Sequence, residues 1–423
     1  KAEHPVAKST TACRACESKN LEIYLDLGLM PLANNLAHSA DAARENPRFP
    51  LQIALCQDCS LSQLTVMVDP EVLFGYYTYR SSVNPGFVKH CRDMATSVGE
   101  YAKIHEDDVV VDIGANDCTM IGMFPKHLDR IAIEPAKNID WKHVDKSINI
   151  VNEFLSKEVV LKETKGKKAK IVTATAMFYD FDNPNIAARD IKEILDENGV
   201  CVIQVSYLLD TIKDMNFYDV VHEHLEYYSL KSINYLMEKN GLTVIDASTN
   251  FVNGGSLRVL VTHKENCKAK SKRYEEILSE EEKWHLNEPD TYVQYGKRIQ
   301  DIIEKSKNLI LKETQKGGKI IGLGASTKGN VLLQICGFDK KLLPYISDRN
   351  KDKVGLRTLG TDFEIISEEM AREMNPNYML VIPWCFKEEI LEREKAYIQN
   401  GGKMLFVMPY PYYVDKNGET KLE

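Results

Sequence analysis

From about Asp107 onward, apolar runs and polar stretches alternate along the chain. "DVVVDIG", "DRIAIEP", "AKIVTATAMF", "GVCVIQVSY", "LTVIDAS" and "SLRVLVTHK" are short and rich in Val and Ile, and they read as strands. The first runs into a glycine turn at Gly114 and then a predicted helix. Further helices are predicted after Pro184 and near 231–240. This order predicts an α/β fold built on a seven-stranded doubly wound sheet that ends in an antiparallel hairpin. Between about 271 and 316, Lys and Glu recur with helical period, predicting one or two long surface helices that link domains. A second α/β pattern opens with "KIIGLGASTKGNVLLQI" and continues through "LLPYISDRN", "NYMLVIPW" and "GGKMLFVMP".

Composition changes this picture little. The 423 residues suffice for two or three domains, and 43% hydrophobic with 27% charged is an ordinary globular balance. A formal net charge of -8 argues against a nucleic-acid binder, which would carry a basic face. No apolar run approaches the roughly 18–20 residues that span a bilayer, so no membrane partner is expected. Nothing in the given sequence reads as a targeting segment. Ten cysteines spread over so long a chain, four of them in two CxxC pairs, favour a reducing compartment with a metal site. The cytoplasm is the expected location.

Those pairs are "CRAC" (Cys13, Cys16) and "CQDC" (Cys56, Cys59). A tight turn between paired cysteines aims both sulfurs at one point, and two such knuckles complete a tetrahedron around zinc. The same residues also read as redox dithiols or separate core cysteines. A closed four-cysteine site has no open position for chemistry, so the zinc would be structural.

In "DVVVDIGANDCTMIGMF…DRIAIEP" a glycine at the strand end lets backbone approach a ligand. Glu134, closing the next strand, can accept both hydroxyl hydrogens of a ribose. A single glycine in "DIGAND" suits S-adenosylmethionine better than NAD, because there is no pyrophosphate to cradle. Asp112, Gly114, Asn116, Asp117 and Glu134 are the candidate cofactor residues; a plain structural turn is the alternative. "ATAMFYDFDNP" follows the fourth strand, where such sheets bind ligands, so Phe178, Tyr179 and Asp180 are candidates for the cofactor rim or for loop packing. In the second pattern, "GLGASTKGN" places Gly324, Ser326, Thr327 and Lys328 between a strand and a helix N-terminus. That arrangement suits an anion such as a pyrophosphate-bearing substrate, without the spacing of a Walker loop. A degenerate domain without ligand is the alternative.

One stretch, "YDVVHEHLEYYS", gathers two histidines, three tyrosines and three acids in twelve positions. HEH lacks the i, i+4 spacing of a metalloprotease helix. On a strand, His222 and His224 would face the same side, leaving His222 a core or supporting role.

Taken in order, CRAC…CQDC, "YYTYRSS", "VVDIGANDCT…AIEP", "HEHLEYYS", "NGGSLRV", "GLGASTKGN" and "DRNKDKVG" give a chain that resembles, over nearly its whole length, the sugar C-methyltransferases acting on nucleotide-linked keto-deoxysugars. The resemblance implies a zinc-binding domain (1–85), an S-adenosylmethionine domain (86–270), a helical linker (271–316) and a Rossmann-like domain (317–423) that helps hold the sugar nucleotide. It implies His224 as the base that removes the hydrogen beside the ketone, with Glu223 as a supporting acid. The enolate then attacks the methyl group, a step that carbon needs because a C–H has no lone pair. A tyrosine donating to the enolate oxygen is expected at Tyr76, with Tyr77 and Tyr79 as neighbours. Tyr79, His222, Gly324, Ser326, Lys328 and Arg349 are the expected substrate contacts, and a monomer is expected. Two departures bear on substrate identity: Val221 where the family often has tyrosine, and Cys385 where its C-terminal motif usually has asparagine. Heteroatom methylation of a small molecule and a zinc-ribbon binding scaffold are the competing functions.

Overall fold

The computed structural model describes residues 6–33, 36–267 and 269–422. They fall into two compact units that do not follow chain order. The first takes Lys1–Ile23, Ile53–Leu209 and Glu223–Pro289, and the second takes Tyr24–Gln52, Asp210–His222 and Asp290–Glu423.

The first unit contains the expected seven-stranded sheet. Its strands are Val109–Ile113, Asp129–Ile133, Ile148–Val151, Ala169–Thr175, Leu195–Ser206, Leu242–Asn250 and Ser256–His263. Numbered along the chain, they lie in the order 3-2-1-4-5-7-6, and only the last two run as an antiparallel hairpin. The helix Pro85–Ala102 covers one face. Asn84 caps it, accepting from the Phe87 N–H at 3.2 Å, and proline fills its first position. Phe87, Cys91, Met94, Ala95 and Val98 pack from this helix onto Val110, Ala132, Ile171, Val200 and Val202.

The helix predicted after Gly114 does not form. Asn116 and Cys118 adopt left-handed backbone (φ 51° and 63°), so the segment makes turns and one short 3₁₀ stretch, Ile121–Met123. The helices expected after Pro184 and near 231–240 are Pro184–Ile194 and Leu230–Lys239.

The second unit holds a sheet whose five parallel strands are Ile320–Leu323, Tyr345–Asp348, Glu364–Ser367, Tyr378–Val381 and Lys403–Phe406. They lie in the Rossmann-like order 3-2-1-4-5, with shorter strands added at both edges. The two helices expected over 271–316 are Lys272–Lys283, in the first unit, and Pro289–Gln315, at the start of the second unit's last segment. No helix among the described residues is long and apolar enough to cross a membrane.

One buried acid secures the segment following the histidine motif. Glu281 is 3% exposed, and its carboxylate accepts from the backbone N–H of Leu230 (2.5 Å) and Lys231 (3.2 Å) and from the Tyr207 hydroxyl (2.8 Å). It thereby meets the unpaired N–H groups of helix Leu230–Lys239 and complements their dipole. Glu281→Ala should cost about 2–4 kcal/mol in urea unfolding, because three buried donors lose their acceptor. An unchanged midpoint would contradict this.

Candidate functional site

The two CxxC knuckles fold alike. In the first, the Glu17 N–H donates to the Cys13 carbonyl and the Cys13 N–H to the Ser18 carbonyl. In the second, Ser60 donates to Cys56 and Cys56 to Leu61. Glu17 and Ser60 both take left-handed backbone (φ 68° and 65°), which turns each loop sharply enough to bring its sulfurs together. Cys13 and Cys59 Sγ stand 3.5 Å apart, as do Cys16 and Cys56, and all four sulfurs lie within 4.8 Å of one another. A tetrahedron with Zn–S bonds of about 2.3 Å has edges of roughly 3.8 Å, so this donor set fits a closed structural zinc. Crowding already favours a thiolate: a hydrogen bond with Cys59 is the main cause holding the Cys13 thiol down at about 5.

Arg14, inside the first knuckle, ties this cluster to the histidine motif. Its guanidinium donates to the Leu64 carbonyl (2.5 Å) and the Thr10 hydroxyl (2.9 Å), and Nε lies 3.7 Å from Glu226 and 3.5 Å from Asp182. Its own carbonyl accepts from Asn185 at 2.8 Å. Glu226 is buried, and desolvation pushes its carboxyl well up while Arg14 pulls it down. The short strand Glu226–Tyr227 pairs antiparallel with Ser62 and Gln63, just beyond the second knuckle. The stretch after His224 is thus fastened to the cysteine cluster on two sides.

At the cofactor turn, Gly114 has φ 68°, and its N–H and that of Ala115 both donate to the Ile133 carbonyl. A Cβ at Gly114 would stand 2.7 Å from Met177 Cγ, so the space is open only to glycine. Each Glu134 oxygen accepts one backbone N–H, from Asn116 (2.7 Å) and Ala136 (2.8 Å), and keeps lone pairs for ligand hydroxyls. This bare turn with an oriented acid fits S-adenosylmethionine. Asp112 is 2% exposed, accepts from the Thr173 hydroxyl at 2.6 Å, and is pushed up to about 7 by burial.

Several of the candidate cofactor residues make bonds within the protein. Asn116 uses its side chain on the tyrosine segment, accepting from Ser81 N–H (3.1 Å) and donating to the Tyr79 carbonyl (3.1 Å). Asp117 accepts from Ser82 N–H (2.9 Å) and the Thr119 hydroxyl (2.6 Å). Both therefore hold a protein strap, which accounts for much of their bonding capacity. Phe178, expected on the rim, is fully enclosed against Phe181 and Tyr228.

That strap decides which tyrosine faces inward. Tyr77 exchanges hydrogen bonds with the Asn138 side chain at 2.9 Å in both directions, and Arg80 donates to the carbonyls of Tyr77 and Asn138. Held this way, Tyr76 is 67% exposed and Tyr79 42% exposed. Tyr77 instead resists ionisation, through burial and then through Asp180, Glu223, Tyr79 and Glu134, so its phenol lies in the field of those acids. With the backbone of Tyr77 bonded to Asn138, Tyr76 is left outward and Tyr77 is the less exposed of the two.

The histidine motif is a turn at His222 and Glu223, and the strand begins only at Glu226, so the two histidines do not share a strand face. From Met215 to Leu230 every residue is buried except His224, which is partly exposed. Its ring lies 4.1 Å from the Tyr179 ring, centroid to centroid, and the Leu225 N–H donates to the Tyr179 carbonyl at 2.7 Å. Those contacts join the motif to the turn Phe178–Asp180. Burial, Glu223 and Glu226 push the Asp180 carboxyl well up.

In the second unit, Gly324 (φ 90°) donates its N–H to Ser347, and a Cβ there would meet Pro383 Cδ at 2.5 Å. Ser326 caps helix Thr327–Ile335, accepting from Gly329 N–H at 3.1 Å; the Thr327 side chain lies outside the described part. Lys328 is ion-paired with the buried Asp219, which sequence reasoning missed although it sits inside the quoted motif. Arg349 pairs with Glu389 at 2.9 Å, with both side chains more than half exposed. The His222 Nε2 faces the carbonyls of Phe49 (3.3 Å) and Pro50 (3.2 Å), a buried structural position.

Comparison with known proteins follows this geometry. Family models match in sequence: a zinc binding domain over residues 13–74, a methyltransferase domain over 90–247 and a C-methyltransferase C-terminal domain over 251–409. The C-methyltransferase NovU of Streptomyces niveus is 28% identical over 408 residues, 96% of this chain and 97% of that protein. Solved structures similar to part of the chain include an S-adenosylmethionine-dependent methyltransferase from Clostridium acetobutylicum. It is 10% identical, with a TM-score of 0.33, and the match covers 42% of this chain and 92% of that one. The YcgJ protein from Bacillus subtilis is 14% identical with a TM-score of 0.32, covering 41% and 97%.

Cys56→Ser should release the metal, read by elemental analysis. Arg14→Met should keep it yet lose about 3–5 kcal/mol of stability, because Glu226 is left buried without its cation. A variant as stable as wild type would show that the guanidinium holds nothing together.

Proposed function

Because this chain belongs to the C-methyltransferase family with an N-terminal zinc-binding domain, we propose that it methylates a carbon of a nucleotide-linked keto-deoxysugar through an enolate. When bound, S-adenosylmethionine supplies an electrophilic methyl group on a positively charged sulfur. Glu134 would hold its ribose, and the bare backbone at Gly114 would let it sit close. The remaining chemistry belongs to side chains of the first unit. His224 takes the proton from the carbon beside the ketone, Glu223 stabilises the imidazolium that results, and the Tyr77 hydroxyl donates to the enolate oxygen.

The partial exposure of His224 within an otherwise buried stretch carries this reading. A base must reach substrate, while its neighbours stay fixed. The Tyr179 ring on one side and the fastened strand after Leu225 supply that fixity. The keto-sugar part rests on the ordered motifs of the sequence. The Gly324 turn at the switch point of the second sheet, with Lys328 close by, suits a pyrophosphate.

The test is hydrogen exchange in deuterated water with a panel of nucleotide-linked keto-sugars. Wild type should wash deuterium in beside the ketone and, with S-adenosylmethionine, methylate that carbon. His224→Ala should lose both by about 10²–10⁴-fold. Methylation that proceeds without exchange and survives His224→Ala would assign the protein to heteroatom chemistry.

A further inference from the structure

Asp180 has no place in the mechanism above, yet it lies among the groups that do. It ends the turn Phe178–Asp180, directly after Tyr179, on which the His224 ring rests. Its Oδ1 is buried and has no hydrogen-bond partner among the described residues. The charged groups acting on it are Glu223 and Glu226, both acids. Asp180 in turn makes the Tyr77 phenol harder to ionise, as do Glu223, Tyr79 and Glu134. Of the cations nearby, Arg14 is committed to Glu226, Asp182 and backbone, and Arg80 to the carbonyls of Tyr77, Tyr79 and Asn138. With acids as its charged neighbours and no donor to Oδ1, the neutral acid is the cheaper state. A neutral acid with a bare, buried oxygen is a hydrogen-bond donor awaiting an acceptor.

We propose that Asp180 acts as a neutral carboxylic acid that, beside Tyr77, donates to the carbonyl oxygen of the substrate while His224 removes the neighbouring hydrogen. The proposal rests on the keto-substrate reading and adds its acid. The C–H bond breaks, its proton goes to the imidazole, and its electron pair forms the enolate, whose oxygen takes up the Asp180 hydrogen bond. When the carbonyl re-forms as the carbon takes the methyl group, that hydrogen stays with Asp180, and the imidazolium loses its proton to solvent. Asp180 ends as it began. A tyrosine paired with a protonated aspartic acid is a known way to stabilise an enolate at neutral pH.

The sign of the pH effect follows. A carboxyl held high donates only below its folded titration point, so activity should fall on the alkaline side. Asp180→Asn stays neutral and keeps N–H donors. It should remain within about tenfold of wild type in exchange and methylation and lose the alkaline limb, while Asp180→Ala should fall about 10²–10³-fold. Binding of S-adenosylhomocysteine, read by calorimetry, should be unchanged in both variants and confirms folding. If Asp180→Asn falls as far as Asp180→Ala, the group works as an anion and the proposal is overturned.

Infrared spectroscopy of protein carrying ¹³C-carboxyl aspartate needs neither substrate nor variant. It should show a protonated-aspartate band persisting well above the usual carboxylate range, in excess of the share from Asp112, which burial also pushes up. Wild-type exchange without that band sinks the acid role alone. The band without exchange on any keto-sugar sinks the keto-substrate reading, and the carbonyl role with it.

Discussion

The first unit depends on a guanidinium placed where carboxyls are buried. Arg14 projects from a knuckle whose shape is set by two cysteines, and it meets Glu226 in the segment that follows His224. Neither side is stable alone. Glu226 without Arg14 is an acid in a low-dielectric site, and Arg14 without the folded knuckle has no fixed origin for its five donors. The four-cysteine cluster thus helps fix the segment that follows His224. Its closed coordination suits that task, because an open site would bind ligand and shift.

Acids gather around Asp180 as well. Asp180 and Glu223 make Tyr77 harder to ionise, and Glu223 and Glu226 do the same to Asp180. Groups kept neutral are good hydrogen-bond donors, and enolate chemistry requires donors aimed at an oxygen that gains charge. His224 is the exception in exposure, as the proposed base would have to be. Asn116, Asp117 and Asn138 hold the tyrosine strap with their side chains.

Much of this was legible before any coordinates. Val- and Ile-dense runs mark both sheets, and paired cysteines mark the metal site, because each depends on local pattern. The helix expected after Gly114 failed because left-handed backbone at Asn116 and Cys118 is set by the turn over Ile133, which no periodicity reveals. Which of Tyr76, Tyr77 and Tyr79 lies outward depends on the bonds to Asn138, far along the chain. Arg14 with Glu226 and Lys328 with Asp219 are likewise long-range pairs, invisible to spacing. The strand Glu364–Ser367 and the hairpin of Tyr412–Asp415 and Gly418–Lys421 passed unnoticed because they are short and largely polar.

Carbon–carbon bond formation through an enolate is the central claim, and the product itself tests it most directly. A nucleotide-linked keto-sugar deuterated beside its ketone would be turned over with S-adenosylmethionine carrying a ¹³C-methyl group, and the product examined by NMR. Enolate chemistry predicts the labelled methyl bonded to the carbon that has lost its deuterium. A labelled methyl on oxygen or nitrogen, with the deuterium retained, would contradict it.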